Sequence, residues 1–402
     1  MIPFSPPFIH QDAIDEVVDT LTSGWITTGP KTKKFEREIT NYCGNKSTLC
    51  LNSATFGLEL ILKWFGVKEG DEVIIPAYTY CATANVIIHC GAKPVMVDIN
   101  KDDFTISTDA IRNAINTRTK VIIPVDIGGL PCDYDAINEL VKEKEKIKLF
   151  KPKNEIQQQL GRILVLADAA HSFGAIYGVK KAGALTDISV FSFHAVKNLT
   201  TAEGGAIALN MPEPFNNNEI YEELNIMSLH GQSKDAFAKN VIGKWEYDVL
   251  YAGYKGNMTD IQASLGLIGL KYYNEILQKR ERIFKMYSDA FSKFEWLKLP
   301  VYKDKKRTSS FHLFLLRIKN VSEEQRNCII QKIFDNGVSV NVHYLPLPSM
   351  TAYKNMGFSR NDYPISYENY TSEVSLPVYY DLNEKLVKKV IDAVVSSVKE
   401  II

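Results

Sequence analysis

Two apolar runs constrain this chain more than any other feature. Ile163–Ala167 (I-L-V-L-A) and Ile188–Phe193 (I-S-V-F-S-F) lack the strict polar alternation of a half-exposed strand. Short runs of that kind fit strands covered on both faces, as in a parallel sheet between helix layers. Ligands of such sheets sit beyond the carboxyl ends of the strands. The first run leads into Asp168 and His171; the second carries Ser192 and leads into His194 and Lys197. An acid, a hydroxyl and a lone amine therefore meet at one sheet edge.

Pyridoxal phosphate chemistry needs those types. A lysine amine condenses with the cofactor aldehyde, and a carboxylate pairs with the pyridine nitrogen so that the ring can accept electrons. The amine must be neutral to attack, yet its ordinary pKa is about 10.4; desolvation or a cationic neighbour lowers it. Ser192 can donate to the cofactor phosphate and His171 can reach the phenolic oxygen of the ring. Taken singly, each residue has a plainer explanation. An Asp after a strand is more often a cap or turn residue, and a lone His more often packs in a core. The joint pattern, strand-D-A-A-H followed by strand-S-F-H-A-V-K-N-L-T-T-A-E-G-G, has no structural requirement behind it.

The rest of the chain alternates helix and strand signals. Asp12–Thr22 reads as an amphipathic helix leading into W-I-T-T-G-P. After Asn52-Ser53-Ala54-Thr55, the residues Leu58, Ile61, Leu62 and Phe65 mark one buried helix face. Ser53 and Thr55 are ordinary capping residues there, although a helix N-terminus also suits a phosphate. Strands are expected at Val73–Pro76, Pro94–Val97, Val121–Val125 and Ala206–Leu209, with helices at Ala82–Cys90 and Asp109–Asn116. This is the pattern of an α/β domain with a mostly parallel sheet. Residues 142–162 read as a charged helix extension and exposed loop. A long connection runs through His230-Gly231 to Tyr254. Asp260 is expected to cap a helix with Ile261, Leu265 and Ile268 inward. A charged helix over Tyr272–Phe294 then leads to a smaller α+β region: strand Phe311–Ile318, helix Ser322–Asn336, strand Val338–His343 and helix Asn383–Val398. The division expected is a large domain at 1–270 and a small one at 271–402.

Composition narrows the function classes. With 47 basic and 47 acidic residues the net charge is zero, so no electrostatic footprint for nucleic acid appears. The six cysteines show no C-x-x-C pair, which suits free thiols in a reducing cytoplasm. No stretch approaches the roughly 18 apolar residues of a membrane span, and the N-terminus lacks the basic and apolar regions of a signal peptide. Zinc-protease, P-loop, dinucleotide-fingerprint and nucleophile-elbow motifs are absent from the sequence, and no metal is expected.

The segments F-S-F-H-A-V-K-N-L-T-T-A-E-G-G, D-A-A-H and G-Y-K-G-N-M-T-D, with W-I-T-T-G-P-K-T upstream and S-L-P-V-Y downstream, resemble the DegT/DnrJ/EryC1/StrS sugar aminotransferases. They look most like the branch that aminates UDP-4-keto sugars, including that for 4-amino-4-deoxy-arabinose. The resemblance implies a fold-type-I architecture and pyridoxal 5′-phosphate held by Lys197. Asp168 would sit on the ring nitrogen, His171 near the ring and Tyr80 stacked upon it. Ser53, Ala54, Thr55 and Ser192 would hold the phosphate; the usual family glycine is Ala54 here. It also implies Thr28, His194, Asn257 and His343 as substrate contacts, L-glutamate as donor, and a nucleotide-linked keto sugar as acceptor, for polysaccharide, glycan or secondary-metabolite sugar synthesis. Lys255 would reach the cofactor phosphate of the other chain in a two-fold homodimer with shared sites, although read alone it is a surface lysine in a turn. Pro348 stands where the family often carries a histidine. Two other readings stay open: a cofactor-dependent sugar dehydratase, which in this family replaces the lysine by histidine, and a cofactor-binding regulator without turnover.

Overall fold

The computed structural model describes residues 1–233 and 246–402. The apolar runs become neighbouring strands, Leu164–Asp168 and Ile188–Ser192, parallel to each other with Asp168 opposite Val190. They lie inside a seven-stranded sheet, ordered Ser47–Leu51, Gly205–Leu209, Ile188–Ser192, Leu164–Asp168, Thr119–Ile122, Glu72–Pro76 and Lys93–Val97. Six strands run one way; Gly205–Leu209 runs against both its neighbours. The missing alternation has a direct cause. Leu49, Leu51, Val190, Ile207 and Leu209 point into one apolar core, with Leu58, Ile61 and Leu62 of the Ala54–Trp64 helix. Cys50, Phe191, Ala206 and Ala208 point into a second, with Phe35, Ile39 and Ala263. Both faces are covered, so both strand parities are apolar.

The helix after the 246–259 segment differs from expectation. Its N-cap is Thr259, in a capping box with Gln262, and the helix spans Asp260–Lys271. Asp260 caps a different helix: its carboxylate accepts from the backbone N–H of Gly29 (2.8 Å), Lys31 (3.0 Å) and Thr32 (2.9 Å) and from the Thr32 hydroxyl (2.6 Å). Those groups open the Pro30–Cys43 helix, whose N-terminal donors are otherwise unmatched. Ile261, Leu265 and Ile268 are only half-buried. The buried face carries Ala263, Ser264 and Gly266, because the Pro30–Cys43 helix lies too close for larger side chains. A Cβ on Gly266 would sit 2.4 Å from the Phe35 ring.

The Tyr273–Phe291 helix leads to a three-stranded antiparallel sheet of Leu297–Lys298, Phe314–Ile318 and Glu373–Leu376. The Glu323–Asp335 and Glu384–Lys399 helices cover it over a separate core containing Tyr287, Phe291, Leu316, Ile333 and Val394. The expected Val338–His343 strand does not form. Only two bridges survive, Val338 to Ile2 and Asn341 to Ser375. Residues 142–162 fold into two short helices, Lys144–Leu149 and Glu155–Leu160, and bury Gln157, whose amide donates to Phe65 O. A helix that periodicity did not indicate, Asn217–Ser228, precedes the connection to Tyr254, part of which lies outside the described residues.

Gly205 opens the reversed strand where the Ser53–Thr55 turn meets it. A Cβ there would lie 2.4 Å from Ala54 N and 2.8 Å from Phe191 O, both backbone atoms. Gly205→Ala must therefore displace one of these segments, with an expected loss of about 1–3 kcal/mol. Thermal unfolding checks this; a melting temperature equal to wild type would show that the approach is not tight.

Candidate active site

The carboxyl ends of four parallel strands meet at a cavity of about 620 Å³. Ser47–Leu51 delivers Ser53, Ala54 and Thr55. Glu72–Pro76 delivers Tyr80, Leu164–Asp168 ends in Asp168 and leads to His171, and Ile188–Ser192 ends in Ser192 and leads to His194 and Lys197. Asn341, His343 and Tyr344 close the cavity from the C-terminal part of the chain.

Asp168 is buried. Its carboxylate accepts from the Thr83 hydroxyl at 2.8 Å and from the Ala170 N–H at 3.2 Å. Burial pushes the carboxyl up from its ordinary value, while Thr83, Ala170 and the Lys197 amine pull it back. Burial also brings Lys197 down to about 8, against the pull of Asp168. At pH 7 about a tenth of such an amine is neutral, far more than of an exposed lysine. This pair can hold a cationic ring nitrogen and supply a nucleophilic amine.

His171 has a fixed tautomer. The Gly128 N–H donates to its Nδ1 at 3.3 Å, so that nitrogen is bare and the proton of the neutral ring is on Nε2. Nε2 lies 3.2 Å from the Tyr344 hydroxyl. Burial, with Lys197 and His343 nearby, holds the ring well below its ordinary value. Beneath it, 4.5 Å between ring centroids, His312 is held by the side chain of Asn198 at 2.9 Å, next to Lys197. Tyr80 is 58% exposed. It is no core residue, and its ring faces Tyr344 across the cavity at 5.8 Å.

Ser53 does cap the Ala54–Trp64 helix, accepting from Phe56 N at 3.1 Å. That leaves the first N–H groups of the helix, at Ala54 and Thr55, beside the cavity, where the helix dipole favours an anion. Ser192 faces the same end. His194 is exposed at the mouth, 3.6 Å from Glu203. Three expected residues are not in their own chain's cavity. Thr28 donates to Met258 O at 2.5 Å and receives the Asn257 amide at 2.6 Å. Lys255 is exposed and bridges to Leu229. Sequence reasoning missed Thr83 and Tyr344. Thr83 follows Tyr80 by one helical turn and Tyr344 adjoins His343, so only their spacing from residues already singled out could have indicated them.

A sequence model of the DegT/DnrJ/EryC1/StrS aminotransferase family matches residues 7–395. The chain belongs to this family. The spore coat polysaccharide biosynthesis protein SpsC of Bacillus subtilis is 35% identical over 402 residues, 99% of this chain and 97% of SpsC. Spr1654 of Streptococcus pneumoniae, described as a sugar aminotransferase, superposes in its PMP form with TM-score 0.96 at 45% identity, over 100% of both chains. Its PLP form gives 0.95 at 44%, over 100% of this chain and 99% of that one. Helicobacter pylori PseC, an aminotransferase involved in pseudoaminic acid biosynthesis, is 27% identical with TM-score 0.86 over 99% of each chain.

This aminotransferase has the fold-type-I architecture and uses pyridoxal 5′-phosphate. The cavity fits that group: a buried acid, an amine of lowered basicity and an open helix start stand on separate strand ends around one space. When bound, the cofactor supplies an electron sink for a carbon that loses its proton. The Lys197 value makes a pH prediction. Uptake of cofactor by the cofactor-free protein should rise with pH through a midpoint at about 8 and level off above it, as the amine becomes neutral. Asp168 holds that value up, so Asp168→Asn should move the midpoint to lower pH. Stopped-flow absorbance reads both; a midpoint near that of ordinary lysine, about 10.4, would exclude the burial argument.

Proposed function

We propose that this aminotransferase moves an amino group from an amino acid, L-glutamate by resemblance, to C4 of a keto sugar linked to a nucleotide. The observation that supports it most is the meeting of Lys197, with its lowered basicity, and the buried Asp168 in one cavity whose mouth is polar. The relatives described as acting in polysaccharide and pseudoaminic acid synthesis favour a sugar acceptor. The nucleotide and the C4 position rest on the motifs shared with the UDP-4-keto-sugar branch. In this reading Lys197 takes the proton from the donor Cα and returns one to the sugar carbon, the step that general acid–base catalysis accelerates. Asp168, fixed by Thr83, holds the ring nitrogen. His171 Nε2–H donates to the phenolic oxygen, Tyr80 covers the ring face, and Ser192 with the Ser53–Thr55 turn holds the phosphate. His194 and His343 line the sugar side.

The decisive experiment separates the half-reactions. Glutamate alone should convert the bound cofactor from its pyridoxal to its pyridoxamine form, because no sugar is needed for that step. A panel of UDP-, dTDP- and GDP-linked keto sugars, scored by mass, should then restore the first form and name the acceptor. Borohydride reduction should leave a pyridoxyl group on Lys197. No conversion with glutamate, glutamine or alanine would favour a cofactor-binding protein without turnover.

We also propose that two chains share each site. Lys255, Thr28 and Asn257 stand outside their own cavity, while the Gln11–Ser23 helix exposes Ile14, Val18 and Leu21 along one side. A two-fold dimer would cover that apolar strip and bring the 255–257 segment to the other chain. Mixed Lys197→Ala and Lys255→Ala chains would then form one site with both lysines and one with neither. The isolated heterodimer should show about half of wild-type activity. Activity no higher than half that of the Lys255→Ala homodimer would exclude a role in trans.

A further inference from the structure

A buried acid that no step above uses lies behind the cavity wall. Glu373 and Ser375 are fully buried on the Glu373–Leu376 strand. The Ser375 hydroxyl is 2.5 Å from Glu373 Oε1 and 2.8 Å from Nδ1 of His343, which lines the cavity. The other oxygen, Oε2, accepts from the His343 N–H at 3.0 Å, so Oε1 is the position open to a proton.

A hydroxyl has one proton to give, which couples the three groups. With Glu373 ionised, Ser375 donates to Oε1, His343 Nδ1–H donates to Ser375, and Nε2 is a bare acceptor. With Glu373 protonated, its O–H donates to Ser375, Ser375 donates to Nδ1, and Nε2 carries the proton. The His343 ring does not charge in the neutral range. Burial, with Lys197 nearby, lowers it to about 4, so a change of tautomer is the change available to it.

We propose that Glu373 and Ser375 are positioning residues that set, through His343, whether the sugar side of the cavity meets a proton donor or an acceptor. The inference rests on the aminotransferase reading of this site. Its proton balance closes. Nε2 gives its proton to the oxygen leaving the sugar carbonyl, Nδ1 takes the Ser375 proton, and Ser375 takes the Glu373 proton. Glu373 ends as carboxylate, and the reverse shift, with a proton taken up from solvent at Nε2, restores the start. Such a reservoir suits the second half-reaction, which expels the carbonyl oxygen as water. The large domain has its own proton carrier in Lys197; this one comes from the C-terminal sheet.

The surroundings allow Glu373 to switch near neutrality. Burial raises the carboxyl to about 8, against Ser375, the His343 N–H, Arg326 and Arg317. Tyr78, which donates to His343 O at 2.6 Å, and Tyr344 also face it. Arg326 gives its own hydrogen bonds to Tyr370 O and Glu373 O, and Arg317 to Asn369 and backbone. Neither arginine donates to the carboxylate among the described residues.

Nitrogen-15 NMR of histidine-labelled holoenzyme, with His343→Asn to assign the signal, tests this directly. The His343 proton should sit on Nε2 below a pH of about 8 and on Nδ1 above it. In Glu373→Gln the amide oxygen should accept the His343 N–H, leaving the NH2 to donate to Ser375, so the proton should stay on Nε2 throughout. Ser375→Ala should slow the sugar half-reaction about tenfold or more relative to the glutamate half-reaction, and Ser375→Thr should restore it. A single tautomer from pH 6 to 10 in the wild type overturns the proposal, as does an equal slowing of both half-reactions in Ser375→Ala. If wild type reacts with none of glutamate, glutamine and alanine, the reading of turnover at this site falls instead; the tautomer measurement stands apart from it.

Discussion

The rest of the site depends on holding an acid and an amine together out of water. Isolated charges in such a place are costly, and each group here relieves the other only in part. Asp168 is kept in place by Thr83 and Ala170, and it opposes the loss of basicity that burial imposes on Lys197. The sheet makes this arrangement stiff. Both residues issue from the ends of adjacent parallel strands whose two faces are buried, so neither strand can slide or rotate without exposing apolar side chains. Rigid strand ends with a polar rim are what a precise proton-transfer geometry requires.

The sheet and its carboxyl edge were legible because double-sided burial writes itself into composition as apolar runs without alternation. Asp168, His171, Ser192 and Lys197 were legible because they lie at the end of those runs or shortly after it. The inward face of the Asp260–Lys271 helix was not. Periodicity favours large apolar residues, whereas close helix packing selects Ala263, Ser264 and Gly266, which give little hydrophobic signal. The Val338–His343 segment has a strand-like composition, but most of its length has no neighbour to pair with. Thr83 and Tyr344 act through contacts that span large sequence separations, 85 residues for Thr83 and Asp168 and 173 for Tyr344 and His171. No local pattern encodes such a contact. Lys255 and Asn257 stand out as part of a motif, but neither lines the cavity of its own chain.

The two sheets divide the labour of the site. One side, built on the seven-stranded sheet, fixes the acid and the amine. The other, built on the small antiparallel sheet, presents His343 and Tyr344. Tyr344 reaches across to His171, and Tyr78 reaches back to His343 O, so the two halves are joined by hydrogen bonds at the cavity itself. A change in how the C-terminal part sits would alter the donors and acceptors offered to a substrate before it disturbed Asp168 or Lys197.

The reversed strand has a consequence for how the chain is made. Ser47–Leu51 emerges early from the ribosome, but its sheet partner is Gly205–Leu209, more than 150 residues later. Until that partner arrives, an apolar strand has an open edge, the form of surface that recruits wrong partners. Chains with such distant pairings fold slowly and spend longer exposed to aggregation. The nascent protein therefore passes a long interval of synthesis with its most N-terminal strand unpaired, and its yield in a cell should depend on chaperones that shield that edge.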